Sequence, residues 1–434
     1  MTQDVVTVSS QTAGTIKESG THSNPDNKTT SPSTWKSLSK YACFDSEAER
    51  QWWNDSGALI ARFLDIAKGD IHEQYQYLLF VREVVIPALG PYPPIRRCCI
   101  NITEIGIELS LNYQGPGKPV FRVSLDPISE MSGTPMDPLN IDTVNDTVAR
   151  LASIGLKDFD RTLHYHFMSE FCMPEEKAKT YQQDSREPMA WSQMILGFDF
   201  KDGNVVTKEY IWTRHAAHAS GLHPHAIIRR AISRVDDQMR CSAAVNLVLE
   251  YMETFNADIP VPFFSWDLID PSESRLKLYG IAWQWSWAKV EEVCTLGGKL
   301  QGPATDRSIG LLRKLWGILK LDEFTPSMAF TWNYEILPGQ THPNVRIYFA
   351  ICDRSDEEVA QAVSQWFNLL GWHETARSYP ETLRYLQPNR DLKKTNTAHT
   401  WLSITVTEKG VYTSLYYHPL GNGPDDHNIR KTWF

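Results

Sequence analysis

The sequence predicts an α+β fold: a ten-stranded antiparallel β-barrel made from five ααββ repeats and ringed by helices. Three observations lead there. The hydrophobic period changes from about 3.6 to two and back, five times along 434 residues. The hairpins recur at intervals of about 70 residues, the mark of a structural repeat. The second strand of several hairpins carries Lys, Arg and Tyr at alternate positions, a polar face that needs an interior once helices cover the apolar one. Closing the sheet removes its unpaired edges, and ten strands enclose more space than side chains fill. A flat sheet with helices on one face is the other arrangement that this order of elements permits.

Each element follows from local signals. Residues 1–40 are rich in Ser, Thr, Asn and Gly without a hydrophobic period, so they are expected to form a disordered tail ahead of one barrel domain over 41–434. Ser46 with Glu49 reads as a capping box before the apolar run Trp52 to Leu64. A second helical stretch over 70–85 stops near Pro87. The period then becomes two, with strands over 98–113 and 119–127 around Gly115–Pro116–Gly117. Helices over 142–153 and 158–169 precede a hairpin at 191–200 and 204–212. Helices over 225–235 and 241–255 precede strands at 261–269 and 274–279. Helices over 287–294 and 306–319 precede strands at 327–337 and 345–352. Ser355 with Glu358 caps the next helix, another follows over 375–386, and the last hairpin is 399–407 with 411–418.

Composition excludes several functions. Forty-three Lys and Arg against 52 Asp and Glu give a net charge of −9, the wrong sign for a general nucleic-acid binder. No run of about 18 apolar residues exists, so no membrane helix is expected. The first twenty residues lack an apolar signal core. Seven scattered Cys without a CxxC fit a reducing compartment, and the expected location is cytoplasmic. The chain has no DDxxD, no GxxxxGK[ST] and no GxGxxG. His164 and His166 sit two apart on a helical pattern, so they should diverge rather than share a metal.

The residues that carry chemistry lie on the strands. Lys208 and Tyr210 share a face in TKEYIW, as do Arg275, Lys277 and Tyr279 in SRLKLYG, and Arg346 and Tyr348 in VRIYFA. Arg122 stands in FRVSLDP, and Tyr412 and Tyr416 share a face in VYTSLYYHP. For one strand alone, Lys, Arg and Tyr facing solvent is the simpler explanation. The same offset at matching positions of three repeats points inward instead. Cations in a barrel need an anion, here one that the chain is not expected to provide, and a diphosphate fits. The tyrosines would shield a carbocation beside it. Glu108, in GIELSLNYQ, should share a face with Ile100 eight residues earlier. A carboxylate there accepts a substrate N–H and its proton, or forms a salt bridge to a lining Arg or Lys.

These residues resemble a known family. ALGPYP at 88–93, GIELS around Glu108, FRVSLDP around Arg122, KEY at 208–210, RLKLY at 275–279, RIY at 346–348 and the YTSLY end are similar to the fungal aromatic prenyltransferases of the dimethylallyl-tryptophan synthase family. The likeness runs from about Asp45 to the C-terminus. It implies the ααββ prenyltransferase barrel. It implies that Glu108 binds the indole N–H with Ile100 beside it. Arg122, Lys208, Tyr210, Arg275, Lys277, Tyr279, Arg346, Tyr348, Tyr412 and Tyr416 would hold dimethylallyl diphosphate, without a metal for catalysis. The implied partners are that diphosphate and an indole acceptor, with no nucleic acid and no membrane, in a monomer or homodimer. Pro262 stands where free-tryptophan enzymes of the family hold an Arg, and Arg346 where several members have Gln or Lys. The first departure favours an acceptor without a carboxylate. The chain is similar to enzymes acting on cyclo-Trp-Pro (brevianamide F), including deoxybrevianamide E synthases, which prenylate indole C2 in reverse fashion. Free tryptophan or another indole is the competing acceptor. A non-catalytic binder of an anionic lipid or nucleotide is the competing class, and it gives Glu108 no task.

Overall fold

The outward strand positions are apolar and the inward ones polar or aromatic, and this division rolls the sheet shut. The computed structural model describes residues 32–67, 69–94, 100, 105–184, 192–254, 262–323 and 325–419. Ten antiparallel strands form five hairpins: β1 (Ile107–Tyr113) with β2 (Val120–Leu125), β3 (Met194–Lys201) with β4 (Asn204–Trp212), β5 (Phe263–Asp267) with β6 (Leu276–Ala282), β7 (Phe330–Ile336) with β8 (Asn344–Ala350), and β9 (His399–Thr407) with β10 (Gly410–Tyr417). Each strand pairs with its sequence neighbours, and β1 closes against β10. The sheet is a closed barrel, so the flat alternative is excluded.

Helices cover the outside. Phe63, on Ala58–Ile66, stacks on Phe121 of β2 with centroids 5.1 Å apart. Phe167, on Thr162–Phe171, packs on Phe264 of β5 and Trp266. Trp366, on Asp356–Leu369, donates Nε1–H to Thr413 Oγ1 at 3.0 Å. Leu109, Leu196, Leu278, Ile347 and Leu402 are buried beneath this ring. Burying such side chains contributes roughly 1.5–3 kcal/mol each and holds the helices to the sheet. Gly280 lets Trp332 lie across it; a Cβ there would fall 2.2 Å from the indole.

The caps behave as their sequences require. Ser46 accepts from Glu49 N–H, while the Glu49 carboxylate reaches Asp45 N–H, one residue earlier than a symmetric box. Asp70 and Glu73 make the reciprocal box on the next helix, Ile71–Phe80.

Several boundaries move. The strand expected from Cys98 begins at Ile107; residues 95–99 and 101–104 lie outside the described residues. The ordered part starts before residue 41: Ser33–Ser39 is a helix whose Trp35 and Leu38 pack on the core, while 1–31 lie outside the described residues. Among the described residues, Glu175–Asp184, Thr213–Ser220 and the single turn Asp236–Met239 are helices beyond the sequence expectation. The first, EEKAKTYQQD, has no apolar stripe to betray it, and the second is a short Ala/His segment. Among the described residues, no helix is long and apolar enough to cross a membrane.

Candidate active site

The even strands run in the same direction around the barrel, so their successive inward residues form levels. β4 reads Lys208, Tyr210, Trp212; β6 reads Lys277, Tyr279, Ile281; β8 reads Arg346, Tyr348, Ala350. Read toward the C-terminal ends of these strands, the levels are basic, then tyrosine, then apolar. One cavity passes through all three, lined by Glu108, Arg122, Lys208, Arg275, Lys277 and Arg346 among others.

At the basic level Arg122 Nε lies 3.2 Å from Asp199, and Lys208 is ion-paired with the same carboxylate. Arg275 holds Asp267 in a fork, at 2.6 and 3.1 Å, and lies 3.4 Å from Glu335. Lys277 is 3.9 Å from Glu335. Arg346 donates to the hydroxyls of Ser403 and Ser414, at 3.1 and 3.2 Å. The expectation that the chain provides no anion is therefore corrected: Asp199, Asp267 and Glu335 are built in. Among the described residues, five cations face three carboxylates, a formal excess of two positive charges. Burial opposes ionisation of Asp199, but Arg122 and Lys208 overcome it and hold the acid well below the usual carboxylate range. Burial pushes Lys208 down to about 8, with Asp199 working against the shift. Burial, helped by Arg275 and Lys208, pushes Lys277 down to about 7. Burial and the neighbouring cations thus hold Lys277 below its ordinary value, and a further anion beside it would favour its charged form.

Four tyrosines form the next level as a continuous girdle. Centroids are 6.2 Å apart for Tyr210–Tyr279, 6.4 Å for Tyr279–Tyr348 and 6.1 Å for Tyr348–Tyr416. Tyr348 OH accepts from Asn333 Nδ2 at 2.9 Å. Burial pushes all four phenols above their ordinary range, so they stay neutral. Gly197 makes room: a Cβ there would sit 3.1 Å from the Tyr210 ring. Tyr412 is corrected out of this set. It lies two residues before Ser414, which is already at the level of Arg346, so it falls below the basic level and does not line the cavity.

Beyond the girdle the walls are Ile100, Ile195, Phe263, Ile281, Met328 and Trp401, and Glu108 opens among them. Ile100 lines the cavity as expected, but from the segment ahead of β1, packed on Ile195 and Trp212. Among the described residues, no hydrogen bond or ion pair engages the Glu108 carboxyl. Burial alone pushes it up to about 8. The salt-bridge alternative for Glu108 thus finds no partner among the described residues. Sequence reasoning missed the three acids because they lie on or beside first strands, where no repeated offset singled them out. Asp199 and Glu335 do alternate correctly with Gly197 and Asn333. His164 and His166 diverge as expected, His164 to Glu209 at 2.7 Å and His166 to the Ala231 carbonyl at 2.9 Å.

A barrel with a cationic end, an aromatic waist and an apolar end bearing the Glu108 carboxyl can ionise an allylic diphosphate and hold an aromatic acceptor against it. Known proteins agree. Residues 48–382 match the family model described as tryptophan dimethylallyltransferase. The chain is 73% identical over 421 residues to prenyltransferase asqH2 of Emericella nidulans, covering 97% of each. It is 33% identical to deoxybrevianamide E synthase notF of Aspergillus sp., covering 89% of this chain and 91% of that protein. The crystal structure of NotF prenyltransferase superposes with a TM-score of 0.84 over 90% of this chain and all of that one. The chain belongs to the tryptophan dimethylallyltransferase family and is an aromatic indole prenyltransferase.

Proposed function

We propose that the chain transfers a dimethylallyl group from dimethylallyl diphosphate to the indole of a Trp-containing cyclic dipeptide of the brevianamide F kind, in reverse fashion at C2 and without a metal. The observation that carries this reading is the order of levels: surplus cations, then the tyrosine girdle, then an apolar compartment whose ionisable carboxyl among the described residues is that of Glu108. Among the described residues no cation lines that compartment, so the carboxylate of a free amino acid would be desolvated there without a partner. A cyclic dipeptide brings no such charge. The solved structure of NotF in complex with brevianamide F and DMSPP, 33% identical to this chain, supports the same class.

In this mechanism Arg122, Lys208, Arg275, Lys277 and Arg346 take up the charge on the diphosphate as the C1–O bond of the donor breaks and its electron pair leaves with oxygen. Tyr210, Tyr279, Tyr348 and Tyr416 surround the allyl cation and exclude water. Indole C2 attacks the tertiary carbon of that cation and a C–C bond forms. Positive charge spreads to the ring nitrogen, where Glu108 opposes it. The proton lost on rearomatisation passes to Glu108 or to solvent through it. The test is kcat/KM for cyclo-Trp-Pro against L-tryptophan and other Trp-containing cyclic dipeptides, with product structures solved by NMR. Equal or better use of L-tryptophan overturns the acceptor class, and a normally attached product overturns the regiochemistry.

A further inference from the structure

The pairing of β9 with β10 contains an irregularity beside the acceptor compartment. Leu415 faces Leu402, but Tyr417 faces His399, so two steps on β10 match three on β9. Thr400 and Trp401 together oppose Tyr416. Such a bulge breaks strict alternation and redirects side chains. His399 therefore shares the outward burial of Leu402, while Trp401 lines the cavity.

Both sides of the bulge are held. Inside, Trp401 stands edge-on to Tyr348, with centroids 6.4 Å apart at 88°, and packs on Met328, Ala350 and Cys352. Outside lies a buried polar chain that the mechanism above does not use. Tyr379 OH is 2.7 Å from His399 Nε2 and 3.1 Å from Tyr417 OH. Asp356 lies 3.5 Å from His399 Nδ1 and accepts from the backbone N–H groups of Ala398 and His399 at 3.1 and 3.2 Å. Hydrophobic side chains could fill this space without these bonds. The hydrogen bonds of Tyr379 to His399 and Tyr417, and of Asp356 to the backbone of Ala398 and His399, instead favour one geometry.

We infer that Trp401 is the aromatic wall on which the acceptor ring rests, and that the Asp356–His399–Tyr379–Tyr417 chain is a positioning device that keeps the bulge, and with it Trp401, in place. The inference rests on assigning the apolar end of the cavity to the acceptor. It names the acceptor class at this wall as a planar, uncharged aromatic. Trp401 supplies a rigid ring next to Tyr416, which is close enough to Glu108 to feel its charge.

The test uses the full chain, with binding read by calorimetry in the presence of an inert thio analogue of the donor, apart from turnover. The probe acceptor is cyclo-Trp-Pro. Trp401→Leu should weaken its binding about three- to tenfold, the range for one lost aromatic pair. It should also spread the product over more than one ring position, with donor KM and melting temperature unchanged. Trp401→Phe should restore most of the affinity. Tyr379→Phe keeps the ring and removes both hydrogen bonds; it should raise the acceptor KM and spread the product in the same way, with donor KM unmoved. Acceptor binding and product ratio unchanged in Trp401→Leu overturn the wall. A Tyr379→Phe enzyme that merely melts earlier, with wild-type acceptor KM and product ratio, overturns the positioning device. Failure of the wild-type enzyme to bind any aromatic acceptor would remove the underlying reading instead, a result distinct from either.

Discussion

Replacing Glu108 by Gln separates catalysis from structure because the two roles predict opposite changes in stability. Burial pushes the carboxyl up to about 8 from an ordinary value of 4.5. The folded chain therefore prefers the protonated acid. That preference is fully satisfied below about pH 4.5, and it is lost as pH rises through 8. Each tenfold change in proton affinity is worth about 1.4 kcal/mol, so ionisation in a dry barrel would cost on the order of 5 kcal/mol. Glu108 is only partly buried, and contact with water lowers this cost. Gln cannot ionise. The variant should melt with wild type at pH 5 and at the same or a higher temperature at pH 9. A severed buried ion pair would instead destabilise by about 3–5 kcal/mol. Catalysis should respond in the other direction. Gln keeps the shape and an acceptor oxygen but loses the charge that opposes the indolium as it forms, so kcat should fall about a hundredfold or more while donor KM stays. With donor saturating, wild-type kcat/KM for the acceptor should climb with pH toward about 8, and the variant's profile should be flat there. Melting curves from pH 5 to 9 and steady-state kinetics on one preparation decide the matter. A folded Glu108→Gln enzyme with full kcat refutes the catalytic assignment, and one that melts much earlier at every pH refutes the electrostatic one.

Other outcomes follow from the same geometry. Lys277→Ala should raise the donor KM about ten- to a hundredfold, the loss of one charge-assisted contact, with the barrel intact; normal use of low donor concentrations would contradict its role. Burial holds Lys277 at about 7 and Lys208 at about 8, and a lowered amine is charged only below its own value. Donor affinity should therefore decline from pH 7 to 9, and binding at pH 8 should take up protons, visible by calorimetry in buffers of different ionisation enthalpy; proton release would contradict it. Tyr416→Ala opens the girdle and should divert donor to dimethylallyl alcohol, whereas Tyr412→Ala, below the cavity, should leave the alcohol-to-product ratio unchanged, as product chromatography would show. Turnover should persist in EDTA, and loss that Mg²⁺ restores would defeat the metal-free mechanism.

What was legible locally and what was not divides along a physical line. The inward placement of Lys208 with Tyr210, of Lys277 with Tyr279 and of Arg346 with Tyr348 was readable because side chains on a strand alternate with period two and the pattern repeats across hairpins. The caps at Ser46 and Ser355 were readable because capping is settled within four residues. Pairing between hairpins is not local. That Asp199 sits between Arg122 and Lys208 depends on β2 lying beside β3 in register, Arg122 opposite Asp199 and Gly197 opposite Lys208. The net charge of the cavity, and with it the depressed lysines, thus belongs to the closed barrel. Tyr412 and Tyr416 look equivalent along one strand; their heights differ only once the Ser414 contact to Arg346 places β10 against β8 across β9. Ile100 lines the cavity from outside any described strand, so face arithmetic does not account for its position there. The bulge opposite Tyr416 leaves no mark in HTWLSIT, since an extra residue is extra only relative to the strand beside it.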